Sequence, residues 1–189
     1  MSVEDGEGVV MQYMFPICDW IDRTSRLFGQ IASYLVLIAC LVSAGNAGSR
    51  YIFSASSNAW LEIQWYMFSA IFLLGASYTL KMNEHVRVDL IFGMVSDRAR
   101  LWIDVFGTIF FLLPATIMLT AMTWPFFMDS FMRGESSSNA GGLIRWPVKL
   151  LLPLGFALLT LQGLAELARR VAALAGYIEF KVHYERPLQ

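Results

Sequence analysis

From Ile63 to Leu80 the chain is uncharged and largely apolar, and the run ends abruptly at Lys81. A charge-dense stretch follows, containing His85-Val-Arg-Val-Asp89, before apolar residues resume near Val105. A run of about 18 such residues closed by charges has the length a helix needs to cross a hydrocarbon core of ~30 Å. Three other blocks share this pattern, so the sequence predicts four spans at about 27–49, 60–80, 103–128 and 148–168. The fourth is the shortest, and Lys149 and Glu166 at its ends are expected to reach toward the interfaces and lengthen it. No charge falls in the middle of any block, consistent with a cost of roughly 2.5–3.5 kcal/mol for each central charge.

Two further segments are amphipathic. Between Tyr13 and Gln30, apolar Phe15, Ile17, Trp20, Ile21 and Phe28 alternate with Asp19, Asp22, Arg23 and Arg26 at near-helical spacing. Pro16 suits the first turn of such a helix, and the pattern predicts a helix lying along the interface. The segment at about 84–100 has the same character, with Leu90, Ile91, Met94 and Val95 on one face. The expected organisation is therefore an all-α membrane protein. Residues 1–26 form an N-terminal segment with an interfacial helix, 27–168 a four-helix domain with a second interfacial helix, and 169–189 a tail.

Charge gives the expected orientation. Arg23, Arg26, Lys81, Arg87, Arg98, Arg100, Arg169, Arg170, Lys181 and Arg186 fall on one side; Arg50, Arg133, Arg145 and Lys149 fall on the other. Basic residues favour the cytoplasm, so both termini are expected there, in a multi-pass protein of a bacterial inner membrane. Trp60, Trp65, Trp124 and Trp146 then lie near outer ends of spans, where aromatic belts sit. The acidic N-terminus lacks the basic region and cleavage site of a secretory signal, so the first block is expected to be retained.

Composition excludes several classes. Only 15% of the 189 residues are charged and the net charge is −1, which leaves no basic face for nucleic acid. No Walker loop, nucleophile elbow or zinc-protease motif occurs, so no enzyme is expected. The two cysteines, Cys18 and Cys40, form no metal or redox motif and are not expected to pair. No histidine lies within a span, which argues against haem.

Arg50 and Glu62 fall at the outer ends of the first two spans, where they are expected to pair; contact of one of them with a partner subunit is the alternative. His85, Arg87 and Asp89 form an interfacial motif on the cytoplasmic side, too incomplete to bind a metal. Pro114 and Pro153 are expected to kink their helices. Gly155 and Gly163, with Ala157 and Ala165, offer surfaces for close helix contact. The deep polar residues, such as Ser69, Thr116 and Gln162, look scattered over different spans. With no internal repeat and no charged midplane site, the chain suits an accessory subunit better than a self-sufficient carrier.

Ser49-Arg-Tyr-Ile-Phe53, Trp60-Leu-Glu62, Phe72-Leu-Leu-Gly75, His85-Val-Arg-Val-Asp89, Asn139-Ala-Gly-Gly-Leu143 and Arg145-Trp-Pro-Val-Lys149 occur in an order that resembles the small membrane subunit (DctQ-like) of tripartite ATP-independent periplasmic (TRAP) transporters. The similarity covers about Leu27 to Arg170. Many members carry two adjacent acids where this chain has Glu62-Ile63. The resemblance implies a non-catalytic scaffold without a cofactor. Its partners would be a large membrane subunit (DctM-like) and a periplasmic binding protein, the complex importing organic acids with Na+. Trp60, Asn139, Gly141, Gly142, Arg145 and Trp146 are the candidates for partner contact. The alternatives are an independent carrier or channel and the anchor of a redox complex.

Overall fold

A computed structural model describes residues 3–54, 57–83 and 95–177, with side chains from residue 16 onward. Its regular elements are four long helices: α1 (Val3–Phe53), α2 (Asn58–Met82), α3 (Asp97–Met132) and α4 (Trp146–Leu174). Each is long and apolar enough to cross a membrane. Successive helices run in opposite directions. α2 and α4 pack against each other at the centre, α1 against both of them, and α3 against α4.

α1 departs from expectation. The segment expected to lie apart along the interface and the first span form one unbroken helix of 51 residues, with Pro16 inside it rather than in its first turn. At about 1.5 Å per residue such a helix is more than twice as long as the ~30 Å core is thick. A repeat of seven explains the continuity. Cys18, Ser25, Ala32 and Ala39 are all buried, and Asn46 continues the series. Ile21, Phe28, Leu35 and Val42 form the second series, facing the same way. Such spacing keeps one stripe against neighbours packed at a shallow angle, and its small residues let the helices approach closely. The apolar stripe of residues 18–30 is thus spent on protein, while Ile17 and Trp20 are exposed.

α3 also merges two expected elements. Asp97–Arg100, placed by the sequence in an interfacial helix, form the first turn of the third long helix, whose buried face begins at Leu101 and Val105. Within α3, Thr108–Leu112 form a π-helical turn, with the Leu113 amide donating to the Thr108 carbonyl. Pro114 follows at once. Proline has no amide proton and crowds the carbonyl four residues earlier, and a wider turn just before it relieves that conflict. α4 runs helically through Pro153. His85, Arg87, Asp89 and most of the expected 84–100 helix lie outside the described residues.

The central contact depends on glycine. A Cβ on Gly155 of α4 would lie 2.7 Å from Leu73 Cβ and 2.9 Å from the Leu73 carbonyl oxygen on α2. A Cβ on Gly163 would lie 2.9 Å from Leu112 Cδ2 on α3. Both are the close approaches expected from the sequence. Both cysteines are free, Cys18 buried and Cys40 exposed.

Candidate functional site

Polar side chains gather at the two ends of the bundle. At one end, α1, α2, α3 and α4 all contribute to a single buried network. Its centre is Gln162 on α4, fully buried. The Gln162 Oε1 accepts from Ser25 Oγ at 2.7 Å; its Nε2 donates to Asp22 Oδ1 at 3.1 Å and Glu166 Oε1 at 3.3 Å. Asp22 pairs with Lys81 at 3.3 Å and Arg169 at 3.0 Å. Glu166 pairs with Arg169 at 3.1 Å and Arg170 at 3.6 Å, and Arg170 reaches Asp104 on α3 at 3.2 Å.

Among the described residues three carboxylates therefore face three cations, and their charges balance. Removing an isolated charge from water costs several kcal/mol, so burial on this scale requires such mutual compensation. Arg170, only 4% exposed, could not be held there without Asp104 and Glu166. This arrangement corrects two expectations. Glu166 turns into the bundle rather than out to an interface, and Gln162 is the hub of a network, not a scattered amide. Arg169 and Arg170, expected where the helix runs on past the fourth span or frays, are helical and part of α4. Inside an apolar bundle a polar group gains more from a partner on a neighbouring helix than from a place on its own.

At the other end, the loop between α3 and α4 folds back over the start of α2. Ser136 and Ile144 form an antiparallel bridge; the Ser137 amide donates to the Leu143 carbonyl at 2.9 Å, and the Arg145 amide to the Glu135 carbonyl at 2.8 Å. Gly141 takes φ +70°, a conformation costly for other residues, and a Cβ on Gly142 would sit 2.4 Å from Ser137 Cβ. The Gly141-Gly142 pair is therefore required by the turn itself.

Glu62 on α2 staples this loop. Its carboxylate, 3% exposed, accepts from the Leu143 amide at 2.7 Å, from Asn139 Nδ2 at 2.8 Å and from the Ser137 hydroxyl. Nearby, Asn58 Nδ2 donates to the Ala140 carbonyl at 3.2 Å and the Tyr66 hydroxyl to the Ile144 carbonyl at 3.0 Å. Arg50, exposed at the end of α1, is not among the groups that hold Glu62, so the expected pair is replaced. The loop's aligned donors satisfy both carboxylate oxygens, and Arg145 turns instead toward Glu135 at 3.9 Å. Glu135 also pairs with Lys149, whose ammonium lies 4.1 Å from the Phe126 ring centre. The hydrogen bond from Lys149 holds the Glu135 carboxyl below the usual carboxylate range.

Of the partner-contact candidates, Asn139 and Gly142 are committed to the loop's own structure. Trp146 packs edge-on against Phe131 at 5.4 Å. Trp60 is half exposed. The sequence reading overlooked Ser137 and Tyr66 at this end and Asp22, Ser25 and Asp104 at the other. A signal for the second group was present: Gln162, Glu166, Arg169 and Arg170 recur on one face of a helix.

A family model for the DctQ component of tripartite ATP-independent periplasmic transporters matches residues 39–173. This chain is a member of the DctQ family. No curated protein and no solved structure matches it. DctQ is one component of a multi-part membrane transporter, not an enzyme, and the partners are those of that system. The matched range holds the Glu62 staple and the whole charged face of α4. Asp22 and Ser25, the contributions of α1 to the network, precede it. In this DctQ chain the network therefore ties the matched region to the preceding stretch of α1.

Proposed function

We propose that this DctQ chain is the fixed, non-transporting scaffold of a sodium-coupled TRAP system that imports organic acids, carboxylates above all. A periplasmic binding protein delivers the substrate and a large DctM-like subunit moves it. Both termini lie in the cytoplasm, which puts the Gln162 network at the inner face and the Glu62-stapled loop at the periplasmic face of a bacterial inner membrane.

The observation that carries this reading is the ion-pair network joining all four helices at one end, Asp22, Glu166 and Asp104 against Lys81, Arg169 and Arg170. A carrier alternates between two packings of its helices, and moving the helices apart at this end would separate buried opposite charges. A brace gains from the same cost. Trp60, Arg145 and the exposed aromatic residues remain available to the large subunit and lipid.

Reconstitution tests the reading. Sodium-driven carboxylate uptake into vesicles is expected only when this chain, the large subunit and the binding protein are combined. Sodium-driven uptake by this chain alone would overturn it. A cysteine placed at Ala140 is expected to react with an impermeant maleimide added outside intact, outer-membrane-stripped cells; labelling only after lysis would reverse the orientation.

A further inference from the structure

α1 turns one face into the bundle and presents the opposite one outward. Arg23, Leu27, Gln30, Tyr34, Leu37 and Leu41 recur at alternating spacings of four and three along that outer face, and all six are exposed. Two of them are out of place against lipid. Gln30 and Tyr34 lie four and eight residues past Arg26, about 6 and 12 Å into the apolar stretch of the helix. Tyr34 is 71% exposed, and neither its hydroxyl nor the Gln30 amide has a hydrogen-bond partner among the described residues. Exposed hydroxyls elsewhere close onto their own helix, Ser33 donating to the Gly29 carbonyl and Thr79 to the Gly75 carbonyl. The longer side chains of Gln30 and Tyr34 carry their polar ends away from the backbone, so they make no such bond.

We infer that this face of α1 is the docking surface for a transmembrane helix of the large subunit, one that offers hydrogen-bonding groups beside Gln30 and Tyr34 and a carboxylate beside Arg23. The inference rests on the scaffold reading above and adds the surface and the chemistry of the contact. Acyl chains neither donate nor accept hydrogen bonds, so lipid alone leaves the amide and the hydroxyl unsatisfied, a costly state in hydrocarbon. Glutamine amides in membranes bond across helices, where a neighbour supplies the complement. Arg23 stands at the charged end of the same face and forms no ion pair among the described residues, so its complement is an acid from outside the chain. A second copy does not supply one. Copies inserted in the same direction and related by a twofold axis set Arg23 against Arg23 and Tyr34 against Tyr34. Leu27, Leu37 and Leu41 give the contact its apolar area. Farther along the same face, a Cβ on Gly48 would meet nothing within 4 Å, which leaves room for a partner helix to come close.

The test uses the full-length chain, co-expressed with the large subunit and purified from the membrane by a tag on this chain. A photoreactive benzoylphenylalanine at Leu37 is expected to cross-link to the large subunit; one at Met118, on the exposed face of α3, is not. Gln30→Leu combined with Tyr34→Phe is expected to retain roughly tenfold less large subunit, the effect of losing two interhelical hydrogen bonds. Arg23→Glu is expected to weaken retention as well, most clearly at low salt. These side chains make no hydrogen bond or ion pair within this chain, so the unfolding midpoint of each variant alone in detergent is expected to match wild type. Unchanged retention in the double variant, a cross-link from Met118 in place of Leu37, or a Leu37 adduct with a second copy would each overturn this proposal and leave the scaffold reading intact. A lower midpoint of the double variant alone would overturn it too, because the two side chains would then serve this chain's own fold. Wild-type chains that retain no large subunit would overturn both.

Discussion

The carboxylate of Glu62, near the start of α2, accepts the backbone amide of Leu143 at 2.7 Å, across 81 residues of sequence. With Asn139 and Ser137 it fixes a loop whose own contacts amount to a two-stranded turn. Replacing Glu62 with glutamine keeps the volume but removes the charge that strengthens every one of these hydrogen bonds. Faster hydrogen exchange at Leu143 and neighbouring amides is expected, with the four helices still protected. An exchange pattern identical to wild type would show that the loop holds itself.

Gln162→Leu is expected to lower stability by about 3 kcal/mol, because it leaves Ser25, Asp22 and Glu166 short of partners in a buried site. Thermal or denaturant unfolding in detergent measures this. A change within ~0.5 kcal/mol, typical of a surface substitution, would mean that water enters the network freely.

Arg170→Met takes the buried guanidinium away from Asp104 and Glu166, and a loss of about 3 kcal/mol is expected. Arg170→Met combined with Asp104→Leu is expected to be less damaging than the single change, since an apolar pair of similar volume suits the interior as well as an ion pair does. Additive losses in the double-mutant cycle would deny the coupling.

Gly155→Ala places a Cβ within 3 Å of the Leu73 backbone, and a cost of roughly 1–3 kcal/mol is expected as α2 and α4 are forced apart. Gly45→Ala meets nothing within 4 Å and is expected to be neutral or slightly stabilising. The unfolding midpoint of Gly155→Ala should therefore fall while that of Gly45→Ala holds or rises; equal shifts would contradict the close contact.

Glu135 supplies a pH dependence confined to the loop. Its carboxyl is held below its ordinary value, first by the hydrogen bond from Lys149. A carboxylate lowered in the folded state contributes stability that is complete above the unfolded value and is lost as pH falls through the folded one. Loop protection is thus expected to be constant near neutrality and to weaken only in acid. Lys149→Gln should shift the onset to higher pH. The same acid profile in that variant would place the effect elsewhere.

Much of the fold was legible in the sequence, because burying apolar helices in a bilayer is a local requirement. The blocks at about 27–49, 60–80, 103–128 and 148–168 each fall within one of the four long helices, and Gly155 and Gly163 lie at close contacts. The boundaries were harder to read. Residues 13–30 look amphipathic whether their apolar face meets lipid or another helix, and only the packing of Cys18, Ile21 and Ser25 against α4 shows which.

By itself the sequence determined that the chain is a helical membrane protein with four long apolar helices and charges kept to their ends, and its motifs pointed to the DctQ family. Only the tertiary structure decided which charges meet. Glu62 was assigned to Arg50 because both sit at span ends, yet it closes a loop 75 to 81 residues away. Asp22, Lys81, Asp104 and the α4 charges read as separate boundary markers, yet form one cluster. Hydropathy fixes the depth of a residue along its helix. The partner of a buried charge depends on the rotation and neighbours of that helix, which exist only once four helices have packed together.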